Sequence, residues 1–350
     1  MSRTLPSQLG LQLPIIQGPM TGSDSPALAA AVSAGGGLGS LGCGMRSPAA
    51  MREAAAAVRA QTDRPFAMNL FVQPAPTPSP AEVEHALARL RPLYARFGAE
   101  PAVPAQWCED FADQLDTLIA LRPAVASFTF DILTAAQVAR LHQAGCQVWG
   151  TATTVAEALA WQTVGADAVV ASGCEAGGHR GTFLSDYASS MVGTFALVRD
   201  CVKQLSIPVI AAGGIMDGAG IAAALALGAQ AVQMGTAFLV CPESAINSAY
   251  RAALARAVAT DTVTTRTISG RPARGIRNAM IDALEVDEAD IPAYPVQNAL
   301  TGALRKLAAA QGDAQYLSLW AGQGVAQARA LAAASLLQQL ADEWRSAGAQ

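Results

Sequence analysis

The residues best suited to chemistry lie between Ala166 and Gly181, ADAVVASGCEAGGHRG, where an apolar run ends in a glycine pair followed by a histidine and an arginine. The run is short, rich in small and β-branched residues and closed by turn formers, the pattern of a strand buried on both faces in a parallel sheet. Gly177 and Gly178 carry no Cβ, so the chain can turn tightly and approach a ligand, presenting His179 at the C-terminal end of that strand. A histidine there is a candidate catalytic base, because an ordinary pKa of about 6.5 suits proton abstraction at neutral pH. The plainer alternative is a structural turn with an incidental histidine. Arg180 can meet anionic oxygens or pair within the fold, and the structural role is expected, since most arginines pair or solvate. Cys174 is a candidate nucleophile if paired with His179, against the plainer reading of a reduced thiol.

Two further stretches offer donors to a phosphate. Ala211–Ile215 reads AAGGI and Gln233–Phe238 reads QMGTAF. Gly213, Gly214 and Gly235 permit close approach of backbone N–H groups to an anion, and Thr236 adds a hydroxyl, with Gln233 and Met234 adjoining. Asn69 closes another strand-like run, where its amide can pair with the edge of a heterocycle or simply turn the chain.

Positioning these groups requires an alternation of strands and helices, and the chain has one. Strand-like segments read Pro14–Pro19, Gly37–Gly42, Pro65–Phe71, Ala124–Phe130, Cys146–Thr153, Ala166–Gly173, Pro208–Gly214 and Ala229–Phe238, and helix-like segments separate them. One such helix runs from Ser47 to Thr62, where Ser47 can cap the first turn and Pro48 suits its first position. The stretch from Gln73 to about Pro104 is longer than a barrel connection needs and is therefore a candidate active-site wall, with the unit's own helix at Ala105–Leu121. Another helix is expected over Ser189–Leu205. Eight such units make an α/β protein of the TIM (β/α)8 barrel type, with every strand's C-terminus on one face. An open doubly wound sheet is the alternative, but its glycine fingerprint is missing: the first turn reads QGPMTG.

After Phe238 the alternation stops. Residues 1–240 are read as the barrel and residues 241–324 as a small, mainly helical lid inserted after strand eight. Within the lid, DTVTTRTISG is strand-like and RPARGIRN is basic and turn-rich. Residues 325–350 are read as an amphipathic helix returning to the barrel.

With 350 residues, 52% hydrophobic and 14% charged, the chain can bury a large core. A net charge of −4 without basic clusters argues against nucleic acid or an anionic membrane surface. Gly218–Cys241 is uncharged enough to suggest a membrane span, but Gly228, Gln230, Gln233 and Gly235 divide it into helix, turn and strand. Pro6 and Pro14 interrupt any secretion signal, so a cytoplasmic protein is expected. The six scattered cysteines show no metal-ligand spacing and read as reduced thiols. His85 and His142 fall on solvent-facing helices, whereas Tyr294 and Tyr316 lie in the lid region, either lining a pocket or packing.

Taken together, PIIQGPM near the start, MNLF at Met68–Phe71, EAGGHRG at Glu175–Gly181, AAGGI, QMGTAFL, SGRPARGIRN at Ser269–Asn278 and WAGQG at Trp320–Gly324 resemble the FMN-dependent nitronate monooxygenases, formerly 2-nitropropane dioxygenases, of the group containing GGHRG. The resemblance covers nearly the whole chain. It implies an FMN-binding TIM barrel that oxidises alkyl nitronates with O2 and needs no reduced nicotinamide. It places the flavin ring against Met20, Asn69 and Gly177, with Gly178 beside them, and the phosphate against Gly214, Gln233, Gly235 and Thr236, next to Gly213 and Met234. Gln323 and Gly324 fall near the flavin, and the family's catalytic histidine falls on His179. Three positions depart from the family's pattern. Ser172 replaces an amide expected to touch FMN, Thr129 replaces a second active-site histidine, and Asp131 brings a carboxylate near the mouth that would repel a nitronate unless a cation such as Arg180 pairs with it. These departures keep two alternatives open: an NAD(P)H-dependent enoyl-thioester or quinone reductase, and a non-catalytic flavin-binding barrel.

Overall fold

The computed structural model describes residues 4–286 and 288–348. The strands are β1 (Ile15–Gln17), β2 (Gly39–Gly42), β3 (Phe66–Phe71), β4 (Val125–Thr129), β5 (Gln147–Ala152), β6 (Ala168–Ser172), β7 (Gly178–His179), β8 (Val209–Ala212), β9 (Ala231–Met234), β10 (Thr262–Thr265) and β11 (Ala273–Ile276). Eight of them form one parallel sheet in the order β1-β9-β8-β6-β5-β4-β3-β2. A parallel bridge between Ile16 and Leu38 joins its two ends, so the sheet is a TIM barrel. Ile16, Leu38, Val125, Trp149, Val170 and Ile210 fill the interior together with Leu5 from the N-terminal segment. Burying side chains of this size contributes about 1.5–3 kcal/mol each.

Local signals start the surrounding helices where capping chemistry predicts. Ser47 Oγ accepts from the Ala50 N–H at 3.2 Å, and Pro48 opens that helix. At Thr134 the hydroxyl and the Gln137 side chain cap each other's backbone groups. The last helix, Ala333–Ala347, buries Leu336, Leu337 and Leu340 against the outer layer of the barrel. It approaches so closely that a Cβ on Gly218 would lie 2.2 Å from the Trp344 nitrogen.

Several expected boundaries move. The final barrel strand ends at Met234, not Phe238, because Thr236–Leu239 winds into a helical turn. The helix expected from Ser189 begins only at Thr194, and that expected from Ala105 begins at Phe111, where the Asp110 carboxylate caps it. The long excursion after β3 forms helix Pro80–Ala95, and it is not an active-site wall. Its Leu90 and Tyr94 join a second hydrophobic cluster with Leu254, Ile268, Met280 and Leu304, and Tyr94 Oη donates to the Leu300 carbonyl at 2.6 Å. Within residues 241–324 the strand-like DTVTTRTISG supplies β10, and β10, β11 and β7 form an antiparallel sheet. The centre of RPARGIRN is β11, with Ala273 opposite His179 and Arg274 opposite Gly178. Composition suggested a turn there, but pairing with edges on either side outweighs weak strand propensity. Among the described residues no helix is long and apolar enough to cross a membrane, and Gly218–Cys241 divides as its glycines required.

Candidate active site

A cavity of about 410 Å³ opens at the C-terminal ends of the barrel strands, lined also by residues of the segment after β9 such as Tyr294, Arg305 and Trp320. That size is typical of cofactor sites. At the ends of β8 and β9 its lining is rich in glycine. Gly213 (φ +113°) and Gly214 (φ +72°) adopt conformations that favour glycine. A Cβ on Gly235 would meet nothing nearer than the Met20 sulfur at 4.0 Å, so this glycine faces open space. The N–H groups of Gly214 and Gly235 have no acceptor within the described chain, and the Thr236 hydroxyl, which accepts from the Gly322 N–H at 3.0 Å, keeps its own hydrogen free. Beneath them the Glu175 carboxylate is occupied by Thr194, accepting from its N–H at 3.0 Å and its hydroxyl at 2.7 Å. Uncommitted donors with no lining carboxylate fit a terminal phosphate.

The ends of β3 to β6 supply a row of polar side chains. Asn69 Nδ2 donates to Ser127 Oγ at 3.1 Å and to Thr129 Oγ1 at 3.4 Å, and Thr129 and Thr151 share a hydroxyl contact at 3.1 Å. Ser172 continues the row, and Gln233 and Met234 stand across from it in the lining. Met20 is held from behind: its N–H donates to the buried Asp24 carboxylate at 2.8 Å, which also accepts from Gly42 and Arg46. Burial raises the Asp24 pKa to about 6 despite those partners. Gly177 also lines the cavity, packed so tightly that a Cβ would lie 2.5 Å from the Gly322 nitrogen.

The wall opposite is built around His179. Its Nε2 lies 2.9 Å from Ser269 Oγ, and that hydroxyl donates to the Arg271 carbonyl at 3.1 Å. One hydroxyl hydrogen cannot serve both, so Nε2 carries the imidazole proton and Nδ1, which has no partner among the described residues, is the acceptor. The rings of Phe130, Tyr294 and Trp320 each stand 5.1–5.4 Å from a neighbour in this group, with all three 5.4 Å from His179. Burial first, then the nearby Arg271 and Arg305 cations, push the His179 pKa from 6.5 to about 3. This corrects the expectation of an ordinary histidine titrating near neutrality. The imidazole is neutral across the physiological range, and as a base it is weaker by about 5 kcal/mol than a free one.

Arg305 completes the wall. Its guanidinium donates to the Asn298 carbonyl at 2.7 Å and side-chain oxygen at 2.9 Å, and reaches Ser318 Oγ at 3.4 Å. Half-buried, it has no carboxylate partner, and among the described residues it is the only charged side chain in the lining. An uncompensated cation at a ligand cavity favours an anion.

Of the residues singled out in the sequence, Gly178, Gly213, Gly214, Thr236 and Gly324 line the cavity with those already described, but Gln323 does not. Its side chain is exposed, and only its backbone takes part, donating to the Glu175 carbonyl at 2.9 Å. Asp131 is also outside. Phe130 has φ +87°, which turns the chain sharply, and the exposed Asp131 carboxylate accepts from the Ile132 N–H instead. Arg180 does not pair with it: buried, it donates to the carbonyls of Ser172, Gly173 and Ser190, the structural role expected. Burial and Glu175 raise the Cys174 pKa, which opposes a nucleophilic role. His85 and His142 are exposed. Tyr294 lines the cavity, while Tyr316 is buried against Phe97 in the second cluster. Arg305 had no sequence signal, since its stretch LRKLAAA reads as an ordinary helix, whereas Ser269, Arg271 and Trp320 lie within stretches that carried the family resemblance.

A family model described as nitronate monooxygenase matches residues 3–343. A nitronate monooxygenase from Pseudomonas aeruginosa is 48% identical over 343 residues, covering 96% of this chain and 97% of that protein. Another from Paraburkholderia phytofirmans is 45% identical, covering 97% and 94%. Among solved structures, the nitroalkane oxidase from Streptomyces ansochromogenes superposes with a TM-score of 0.91 at 39% identity, covering 98% of both chains. FabK from Thermotoga maritima is less similar, with a TM-score of 0.78 at 30% identity, covering 100% of this chain and 98% of that one.

Proposed function

The chain belongs to the nitronate monooxygenase family, and from that premise we propose that it binds FMN and oxidises alkyl nitronates with O2 to a carbonyl compound and nitrite. The observation that carries the substrate class is Arg305, a half-buried cation without an acid partner and, among the described residues, the only charge in the cavity lining. A nitronate is an anion and meets attraction there. The fit of the cofactor is supported by the free N–H groups of Gly214 and Gly235 and the Thr236 hydroxyl, suited to its phosphate, and by the amide and hydroxyls of Asn69, Ser127 and Ser172, suited to the polar edge of its ring.

Bound FMN would accept electrons from the substrate and pass them to O2. The chain's residues orient and discriminate. Arg305 holds the anionic nitro oxygens, and the aromatic side chains around His179 exclude water from the apolar part of the substrate. His179, neutral and with Nδ1 free, can take a carbon-bound proton only at a cost, so a preformed nitronate is the better substrate and a neutral nitroalkane the poorer one. Residues 241–324 serve as the lid over this chemistry, and the enzyme works in the cytoplasm.

The test is anaerobic mixing of FMN-loaded protein with ethyl nitronate and, separately, with NADPH, followed by flavin absorbance, and then admission of O2. Reaction with the nitronate, and nitrite release in O2 without NADPH, is expected. Rapid bleaching by NADPH with no response to nitronate would instead favour a reductase, the reading that the likeness to FabK supports. Recovery of FAD after denaturing the holoprotein would overturn the FMN assignment.

A further inference from the structure

Phe130 is the residue in the aromatic wall that its backbone resists most. It follows β4 with φ +87°, one of two non-glycine positive φ values among the described residues; the other, Arg122 at φ 49°, ends a helix in the ordinary left-handed conformation. Contacts on the side chain hold Phe130 in this state. Its ring stacks on Phe71 with centroids 4.2 Å apart and planes 22° apart. The Arg271 guanidinium lies 4.3 Å from its centroid. Tyr294 packs edge-on at 5.1 Å.

Arg271 is itself fastened. Its Nε donates to the Arg180 carbonyl at 3.1 Å, and its Nη2 reaches the carbonyls of Thr182 and, at 3.4 Å, of Phe130. Phe71, Phe130 and Tyr294 line the cavity, but Arg271 does not. The cation thus stands behind the wall, tying a lid residue to the backbone and ring of a barrel residue.

We propose that Phe130 sets the size of the alkyl group the cavity accepts, and that Arg271 is the positioning residue that keeps its ring in place. This rests on the nitronate reading. Phe130 and Tyr294 are neighbours, and both line the cavity together with Arg305. In the proposed pose the nitro oxygens face Arg305 and the carbon chain lies against the Phe71–Phe130 stack, which lines the same cavity. Each methylene that fits or fails to fit in such a pocket changes specificity by about tenfold or more.

The experiment uses the FMN-loaded protein and Phe130→Gly, a change the positive φ tolerates while the ring is lost. Phe130→Leu and Arg271→Met accompany it, with flavin content measured for each. Two readouts are taken: kcat/KM for nitronates of increasing chain length, and flavin-detected binding of the straight-chain carboxylates from acetate to hexanoate, which do not react. In Phe130→Gly the preference for a six-carbon over a two-carbon nitronate should rise by about tenfold or more, and the carboxylate series should shift toward longer chains. Arg271→Met should shift both profiles the same way by less, and adding it to Phe130→Gly should produce no further shift, which a general loss of stability would not mimic.

An unchanged length profile in Phe130→Gly or Phe130→Leu with flavin retained overturns the assignment of Phe130. Additive shifts in the double variant overturn the role of Arg271. A shifted carboxylate profile in a protein that turns over no nitronate leaves the wall in place and removes the nitronate reading, so the two failures are distinguishable.

Discussion

At the ends of β8 and β9 the cavity presents backbone N–H groups of Gly214 and Gly235, within two short glycine-containing stretches of which Gly235 faces open space. On the lid side it presents the side chains of His179, Tyr294, Arg305 and Trp320, drawn from four separate segments and held by further residues that never reach the cavity, such as Ser269 behind His179. The cradle is local: removing a Cβ and ending a strand suffices to make it. The wall is cooperative, because each of its groups depends on another element for orientation or charge. Ionic character differs as well. The cradle has donors without formal charge, whereas the wall concentrates cations near a histidine that they and burial keep neutral.

If the cradle binds phosphate, damage there should remove the cofactor, while damage to the wall should spare it. Gly235→Asp brings a carboxylate into the space the phosphate would occupy and should weaken FMN binding by about 10²- to 10³-fold, the cost of an uncompensated buried charge. Titration of apoprotein with FMN measures it, and unchanged affinity would place the phosphate elsewhere. Arg305→Met should leave FMN affinity intact and raise KM for nitronates about 10- to 100-fold with a smaller change in kcat, the range for a lost charged hydrogen bond. Equal loss of FMN in that variant would erase the distinction between the two regions.

His179 allows a test by pH. Its pKa is lower in the folded protein, about 3 against 6.5 unfolded. The unfolded chain therefore takes up the proton first, and the histidine destabilises the fold increasingly as pH falls from about 6.5 toward 3. Between pH 7 and pH 5 the apoprotein should lose about 2 kcal/mol through this residue, and His179→Asn should recover that amount in denaturant titrations. For the same reason nitronate turnover should show no inflection near pH 6.5 attributable to His179, and one that disappears in His179→Asn would contradict a neutral imidazole. The smallest effect belongs to Gln323→Ala. With its side chain exposed and its contact made through the backbone, FMN affinity and kcat should stay within about twofold of the parent.

Much of the fold was legible because its signals are short-range. Ser47 and Pro48 start a helix by local hydrogen bonding and a preset φ, and the apolar runs ending in Gly173 and Gly213 announce buried parallel strands. The glycine positions of the cavity were legible for the same reason. Asp131 and Gln323 were misplaced because a side chain's direction at a strand end depends on φ values and lid packing that composition does not encode. The excursion helix Pro80–Ala95 was assigned to the site because its length was visible, while its partner, the Leu300–Leu304 turn more than 200 residues away, was not.

Sequence alone therefore determined the repeating strand–helix order, the glycines at the ends of β8 and β9 and the presence of His179 beside a turn, all of which follow from propensity, periodicity and the absence of a Cβ over a few residues. Tertiary structure decided the rest: the neutral state of His179, the availability of Arg305 as an unpaired cation, and the position of Phe130 between Phe71 and Arg271. Protonation and orientation at these residues depend on desolvation and on charges brought together from distant segments, and those terms exist only once residues 241–324 have packed against the barrel.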